Sequence, residues 1–213
     1  MVFHMMPFLN VSWETAPDYS FGEHDTDVLL VINNEDLTVF TFDGLKRRLG
    51  LHPETLSRIL VRLEQEGFLT KDAHGYKVSP RITRLKLLEP EATENHVPLL
   101  QTYLPSNIVV QHLIANLTGK WFGRLRWFGL SETSRGVTLK WVTEDGGIQI
   151  NAAIQDSTLS IEAKFLHENN LNLALNASHQ LMAHIGKLCS GSRTATATHV
   201  GYFGDGNTFL MSA

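Results

Sequence analysis

Apolar residues in the N-terminal third of the chain recur at intervals of three and four positions, the spacing that lines one face of an α-helix. This pattern predicts three helices, over residues 25–34, 42–49 and 53–66. Thr41 is a residue type that caps helix N-termini, and Gly50 suits the left-handed turn that ends a helix. Pro53 fits the first position of the third helix, where no backbone N–H is needed.

The third predicted helix is followed by two short runs of alternating apolar and polar residues, 68–71 and 76–78. His74 and Gly75 lie between the two runs, so the segment predicts a two-stranded hairpin. Four aliphatic residues are expected to form the buried stripe of the third helix: Leu56, Ile59, Leu60 and Leu63. The predicted order is therefore helix, helix, turn, helix and hairpin.

Residues 119–165 change to period-two alternation, which is typical of strands with one buried face. Four such runs predict an antiparallel meander, over residues 121–128, 137–141, 148–154 and 159–165. Helices predicted over residues 170–188 and 107–117 carry apolar stripes, so either could cover the sheet. The second of them could instead join two subunits.

The charge of the chain is unevenly distributed. The whole chain carries a formal net charge of -4, but residues 41–90 hold ten basic and six acidic residues. Residues 1–40 hold seven acidic residues and no Lys or Arg. A locally basic segment is what binding to nucleic-acid phosphates requires, because charge attraction in salt falls off within about 10 Å.

The run TFDGLKRRLGLHPETLSRILVRLEQEGFLTKDAHGYKVSP, residues 41–80, resembles the winged helix-turn-helix of MarR-like and ArsR-like regulators of bacteria and archaea. The resemblance rests on the glycine between two helices, the hydroxyl residues that begin the third helix, and Leu-Glu-x-x-Gly-Phe-Leu before the hairpin. It covers residues 24–80 only. It implies a DNA-binding transcriptional regulator.

The expected fold class is α+β, with an N-terminal winged helix-turn-helix followed by an antiparallel four-stranded sheet packed with one or two helices. The expected organisation has five parts: an arm (1–23), the DNA-binding domain (24–80), a linker and helix (81–118), a sheet-plus-helix domain for dimerisation or effector binding (119–189), and a tail or extra hairpin (190–213).

The outward face of the third helix is the expected reader of DNA, since recognition helices contact base edges from their N-terminal half. Thr55, Ser57 and Arg58 are the candidates for base contacts, and Arg58 could donate two hydrogen bonds to a guanine. Seven further residues are candidates for holding the phosphate backbone: Arg62, Lys46, Arg47, Arg48, Lys71, His74 and Lys77.

The sequence thus predicts a regulator that binds double-stranded DNA as a homodimer. The alternative is a winged-helix adaptor that docks protein and does not bind DNA. The C-terminal half is a dimerisation domain, a sensor of a small-molecule effector, or a second protein-binding surface. Four aromatic residues are candidates for lining an effector pocket: Trp121, Trp127, Phe128 and Trp141.

No pattern in the chain suggests an enzyme, a cofactor or a metal site. Cys189 is the only cysteine, which excludes disulfides within the chain and thiolate-rich zinc sites. His179 and His184 are five residues apart, which does not place them on one helical face. The absence of a long apolar run predicts no membrane span, and the expected location is the cytoplasm.

Overall fold

The computed structural model describes residues 22–73, 75–80, 82, 96–167 and 169–197. Five helices and eight strands follow one another in these ranges: α1 (Glu23–Asn34), β1 (Val39–Phe40), α2 (Phe42–Leu49), α3 (Pro53–Gln65), β2 (Leu69–Asp72), β3 (Gly75–Val78), β4 (His96–Tyr103), α4 (Val110–Leu117), β5 (Leu125–Thr133), β6 (Gly136–Thr143), β7 (Ile148–Gln155), β8 (Thr158–Phe165) and α5 (Leu171–Ala197).

The first three helices lie in the segments that the spacing of apolar residues predicts. Thr41 Oγ1 accepts a hydrogen bond from the Gly44 backbone N–H at 3.1 Å, which caps α2. Gly50 ends α2 in the left-handed conformation, with φ of 65°, and Pro53 is the first residue of α3. The predicted stripe of α3 is buried: Leu56, Ile59, Leu60 and Leu63. Each of these predictions is confirmed.

Strands β2 and β3 form the predicted hairpin, paired from Leu69↔Val78 to Asp72↔Gly75. The two-residue strand β1 pairs with β3 on one side and with β5 on the other. A strand of two residues is too short to show an alternation of apolar and polar positions, so the sequence pattern did not predict β1. Its two pairings join the N-terminal hairpin to the C-terminal strands.

The predicted fold class, a winged helix followed by a separate four-stranded sheet, is wrong. All eight strands belong to one antiparallel sheet in the order β2-β3-β1-β5-β6-β7-β8-β4. The meander from β5 to β8 forms as predicted, but β1 extends it on one side and β4 on the other. The prediction failed because it assigned each half of the chain its own sheet.

Strand β4 lies within residues 81–118, for which the sequence predicts only a linker and a helix. It is an edge strand that pairs with β8, and its register shifts between Pro98 and Leu100. A proline and a bulge are tolerated at a sheet edge, and together they interrupt the alternation that would reveal a strand.

Two hydrophobic cores lie on opposite faces of the sheet. Neighbouring residues of a strand face opposite sides, and Trp127 accordingly packs in the core beneath α4 and α5. Phe128 packs in the other core, which it shares with α1, α2 and α3. The sheet is therefore the middle layer between two groups of helices.

Helix α2 lies directly on β5. A Cβ added at Gly44 would come within 2.6 Å of the Phe128 Cα, so only glycine permits this approach. The turn between β6 and β7 reaches the same helix, because a Cβ at Gly146 would lie 2.6 Å from the Arg47 carbonyl oxygen. The N-terminal helices are thus fixed to the C-terminal strands by backbone-level contact.

Helix α5 runs from Leu171 to Ala197, so it extends into the segment 190–213 predicted as a tail or hairpin. The rest of that segment and residues 1–21, most of the predicted arm, lie outside the described residues. Within the described part of the chain, no helix combines the length and the apolar character needed to cross a membrane.

Candidate nucleic-acid interface

The outward face of α3 is exposed along its length. The helix has 13 residues and is therefore about 20 Å long. Its exposed side chains include Ser57, Arg58, Val61 and Arg62, whereas Thr55 is half-buried. The inward stripe packs against α1, α2 and the hairpin, and this packing determines which side of α3 faces solvent.

Both arginines of this face already bind carboxylates. Arg58 forms an ion pair with Glu54 one turn earlier, with 2.5 Å between Nη2 and Oε1, and both side chains are mostly exposed. Arg62 instead donates to Asp25, a buried residue in the first turn of α1. Arg58 is therefore free to exchange its partner in solvent, whereas Arg62 ties α3 to α1.

The hairpin places its two lysines on opposite faces. Residues directly opposite in an antiparallel pair share a face, and the register pairs Thr70 with Lys77 and Lys71 with Tyr76. Lys71 lies on the side of α3, 3.8 Å from the carboxylate of Glu64, and Lys77 lies on the other side. His74 lies outside the described residues.

The three basic residues of α2 also have different environments. Lys46 pairs with Asp43 at 2.9 Å, and this hydrogen bond lowers the pKa of the Asp43 carboxyl. Arg47 is half-buried where the β6–β7 turn meets the helix. Arg48 points into the sheet, where its Nε donates to Gln149 Oε1 at 3.2 Å. The structure therefore does not bring Arg48 to the exposed face of α3.

Arg48 belongs to a buried polar network, here called the Glu35 network, between the N-terminal helices and the sheet. Glu35, at the C-terminal end of α1, accepts hydrogen bonds from Lys140 at 2.8 Å and from Lys164 at 2.9 Å. It also accepts one from Gln149 Nε2 at 2.7 Å and lies 3.5 Å from Arg48. The Glu35 side chain is 2 % exposed and each lysine side chain 8 %.

One carboxylate therefore lies among three cations in the Glu35 network. Burial by itself would raise the pKa of the Glu35 carboxyl, but the charges and hydrogen bonds of Lys140 and Lys164 outweigh it. Together they hold the pKa of Glu35 well below its ordinary value of 4.5. The carboxyl is consequently ionised at neutral pH and neutralises buried positive charge.

The four aromatic candidates for an effector pocket do not lie around one cavity. Trp127 and Trp141 pack edge to face in one core, with ring centroids 5.3 Å apart, and both are buried. Phe128 is in the core on the opposite face of the sheet. Trp121 is 64 % exposed, and the Arg126 guanidinium lies over its ring at 4.7 Å from the centroid.

Two cavities of the described residues lie elsewhere. One, of about 220 Å³, lies between α4 and the C-terminal part of α5 and is lined by Ile108, Val109, His112, Leu113, Asn116, Leu188 and Cys189. The other, of about 350 Å³, lies where the end of α1 meets β3, and its lining includes Ile32, Asp36, Thr38, Val78 and Glu132. Neither includes an aromatic residue of the predicted pocket.

Sequence reasoning missed the Glu35 network. Asn151 Oδ1 accepts a hydrogen bond from Gln149 Nε2 at 2.9 Å and extends the network. The polar residues Lys140, Gln149, Asn151 and Lys164 alternate with the apolar positions of three neighbouring strands, so the sequence pattern shows that they share a face. Their burial is not readable, because it depends on α1 and α2 packing over that face. Glu35 follows directly after a helix and carries no pattern of its own.

No family model, curated protein or solved structure matches this chain. The case for a function therefore rests on the geometry of the described residues.

Proposed function

We propose that the chain binds double-stranded DNA as a homodimeric transcriptional regulator, with α3 lying in the major groove. The observation that carries this proposal is the exposed outer face of α3, a polar surface about 20 Å long that presents Arg58 and Arg62 and whose other side is anchored in a core. The major groove is about 12 Å wide and accepts a helix of this kind.

Basic residues next to α3 are placed where they could contact the phosphates on either side of the major groove. Lys71 on the hairpin and Lys46 on α2 each pair with a carboxylate at the surface, and phosphate oxygens could replace these partners. Arg47 is a further candidate for a phosphate contact, whereas Lys77 lies on the face of the hairpin away from α3 and is not part of the proposed interface. Arg48 is left out of the proposed interface, because its guanidinium is engaged in the Glu35 network.

The role of each arginine follows from its partner. Arg58 is solvent-exposed and its ion pair with Glu54 is easily exchanged, so it is the proposed reader of a guanine. Arg62 is bound to buried Asp25, so its proposed role is to orient α3, with a secondary contact to phosphate. Ser57 and Thr55 complete the base-reading face.

A homodimer forms part of the proposal, because one recognition helix contacts few bases and regulators of this type bind paired half-sites. Light scattering of the full chain at micromolar concentration is expected to give twice the monomer mass of 23.9 kDa. A monomer mass both with and without DNA would contradict this part. The proposed location is the cytoplasm of a prokaryotic-type cell, where the DNA is.

Arg58→Ala tests base reading. Duplexes preferred by the full chain are first selected from a randomised pool, and affinities are then measured by fluorescence anisotropy. The variant is expected to lose about 1–3 kcal/mol on the preferred duplex and much less on random DNA, because a base contact carries specificity. An equal loss of affinity on the preferred duplex and on random DNA would show that Arg58 contacts the DNA phosphates instead of a base.

Lys71→Ala and Lys77→Ala form a matched pair that tests the orientation of the hairpin. If DNA lies on the side of α3, Lys71→Ala should weaken binding to all sequences and reduce the salt slope by about one unit. Lys77→Ala, on the opposite face, should have the smaller effect. The reverse result would place DNA on the other face of the hairpin.

A protein-docking adaptor remains the second candidate, favoured by one observation. Glu54 and Glu64 balance Arg58 and Arg62, so α3 itself has no net charge. If the full chain binds no duplex even at low salt, where phosphate contacts are strongest, the adaptor becomes the better proposal.

A further inference from the structure

Val61 is an apolar side chain in the middle of the outward face of α3. It is 45 % exposed, although the four aliphatic residues of the opposite stripe are buried. Ser57 lies one turn before it and Arg58 three residues before it on the same face. Val61 is therefore available for contact with whatever α3 binds.

The neighbours of Val61 leave this position unobstructed. Arg62 is drawn toward Asp25 on α1, and Arg58 is drawn toward Glu54 at the start of the helix. Neither long side chain has to lie over the valine methyl groups. A groove-facing apolar residue has one specific partner among the base edges of the major groove, the 5-methyl group of thymine.

We propose that Val61 reads a thymine methyl group, so that the preferred duplex carries a T·A pair close to the guanine contacted by Arg58. Three residues of helix correspond to about 4.5 Å of rise, and one base step to about 3.4 Å, which places the two base pairs within one or two steps of each other. The inference rests on the proposed function, because it names the sequence that the same helix face recognises.

Deoxyuridine substitution tests the contact. Each thymine of the selected duplex is replaced singly by deoxyuridine, which removes the methyl group and leaves the base pairing unchanged. At one thymine near the essential guanine, affinity should fall about fourfold, the value of one methyl group moved from water into apolar contact. With Val61→Ala, the same replacement should change affinity less than about twofold.

Gln65→Ala, at an exposed position one turn after Val61, is the matched control, and it should retain the fourfold effect of deoxyuridine. Thermal unfolding verifies that both variants fold, as expected for alanine at exposed helical positions. If every deoxyuridine duplex binds the parent protein as tightly as its thymine counterpart, the inference is wrong while DNA binding stands. If the parent protein selects no duplex at all, the proposed function fails and the inference fails with it.

Discussion

Replacing Glu35 by glutamine perturbs the point where the N-terminal helices meet the sheet. The change keeps the size of the side chain and removes its charge. The ammonium groups of Lys140 and Lys164, which lie 2.8 and 2.9 Å from the carboxylate, then remain buried without it. An amide offers one acceptor oxygen where the carboxylate offered two.

The expected cost follows from the burial of all three side chains. Removing one partner of a buried ion pair costs about 3–5 kcal/mol, because the remaining charge stays desolvated. In a chain of this size 1 kcal/mol lowers the melting temperature by about 2–4 °C, so Glu35→Gln should lower it by about 6–20 °C. The free energy of unfolding is measured by urea titration and the melting temperature by calorimetry, both at neutral pH.

Two further variants isolate the cause. Glu54→Gln removes a carboxylate from the exposed pair with Arg58 and should change stability by less than about 1 kcal/mol. Combining Glu35→Gln with Lys140→Met and Lys164→Met removes the two lysine charges and should recover most of the loss, while Arg48 keeps its hydrogen bond to Gln149. If the free energy of unfolding of Glu35→Gln lies within about 1 kcal/mol of that of the parent, the carboxylate does not neutralise the lysines and the reasoning is refuted.

Three other predictions follow from the same structure. Folding lowers the pKa of Glu35, so the stability that its carboxylate contributes is fully present above pH 4.5 and is lost as the pH falls below that value. The free energies of unfolding of the parent and of Glu35→Gln, measured by urea titration, should therefore become more similar in acid. A difference that grows in acid would contradict this. Glu54→Gln should raise the affinity for DNA about fivefold at low salt, as measured by fluorescence anisotropy, because the removed carboxylate repels phosphate and competes for Arg58. A loss of affinity for the preferred duplex alone would show instead that Glu54 contacts a base. Gly44→Ala should cost more than about 1 kcal/mol in the free energy of unfolding, because its Cβ would meet the backbone of β5. The matched Gly186→Ala on α5, with nothing within 4 Å, should instead stabilise by about 0.5–1 kcal/mol; equal effects of the two would contradict the close approach of α2.

The sequence by itself determined the bounds of α2 and the start of α3, the buried stripe of α3 and the meander from β5 to β8, because each depends on residues close together in the chain. The cap at Thr41, the left-handed Gly50 and the first-turn Pro53 act within a few residues of the backbone they organise. The buried stripe of α3 and the meander from β5 to β8 depend on periodicity within one segment. Such features are readable because their energetics depend on neighbours in sequence.

The joining of the two halves into one sheet was decided only by the tertiary structure. Strand β1 is two residues long, and it is a strand because β3 and β5 bind its two edges. Strand β4 is interrupted by Pro98 and is defined by its pairing with β8. Both strands form because they make hydrogen bonds to residues distant in sequence, and the local sequence pattern does not indicate those hydrogen bonds.

The same distinction applies to the charged residues. The sequence identifies which residues of α2, α3 and the hairpin are basic, and their spacing indicates which lie outward on α3. Only the packing of α1 and α2 against β6, β7 and β8 turns Arg48 inward and buries Lys140 and Lys164 around Glu35. Whether a charge is solvated or buried depends on what covers it, and that is a property of the folded chain.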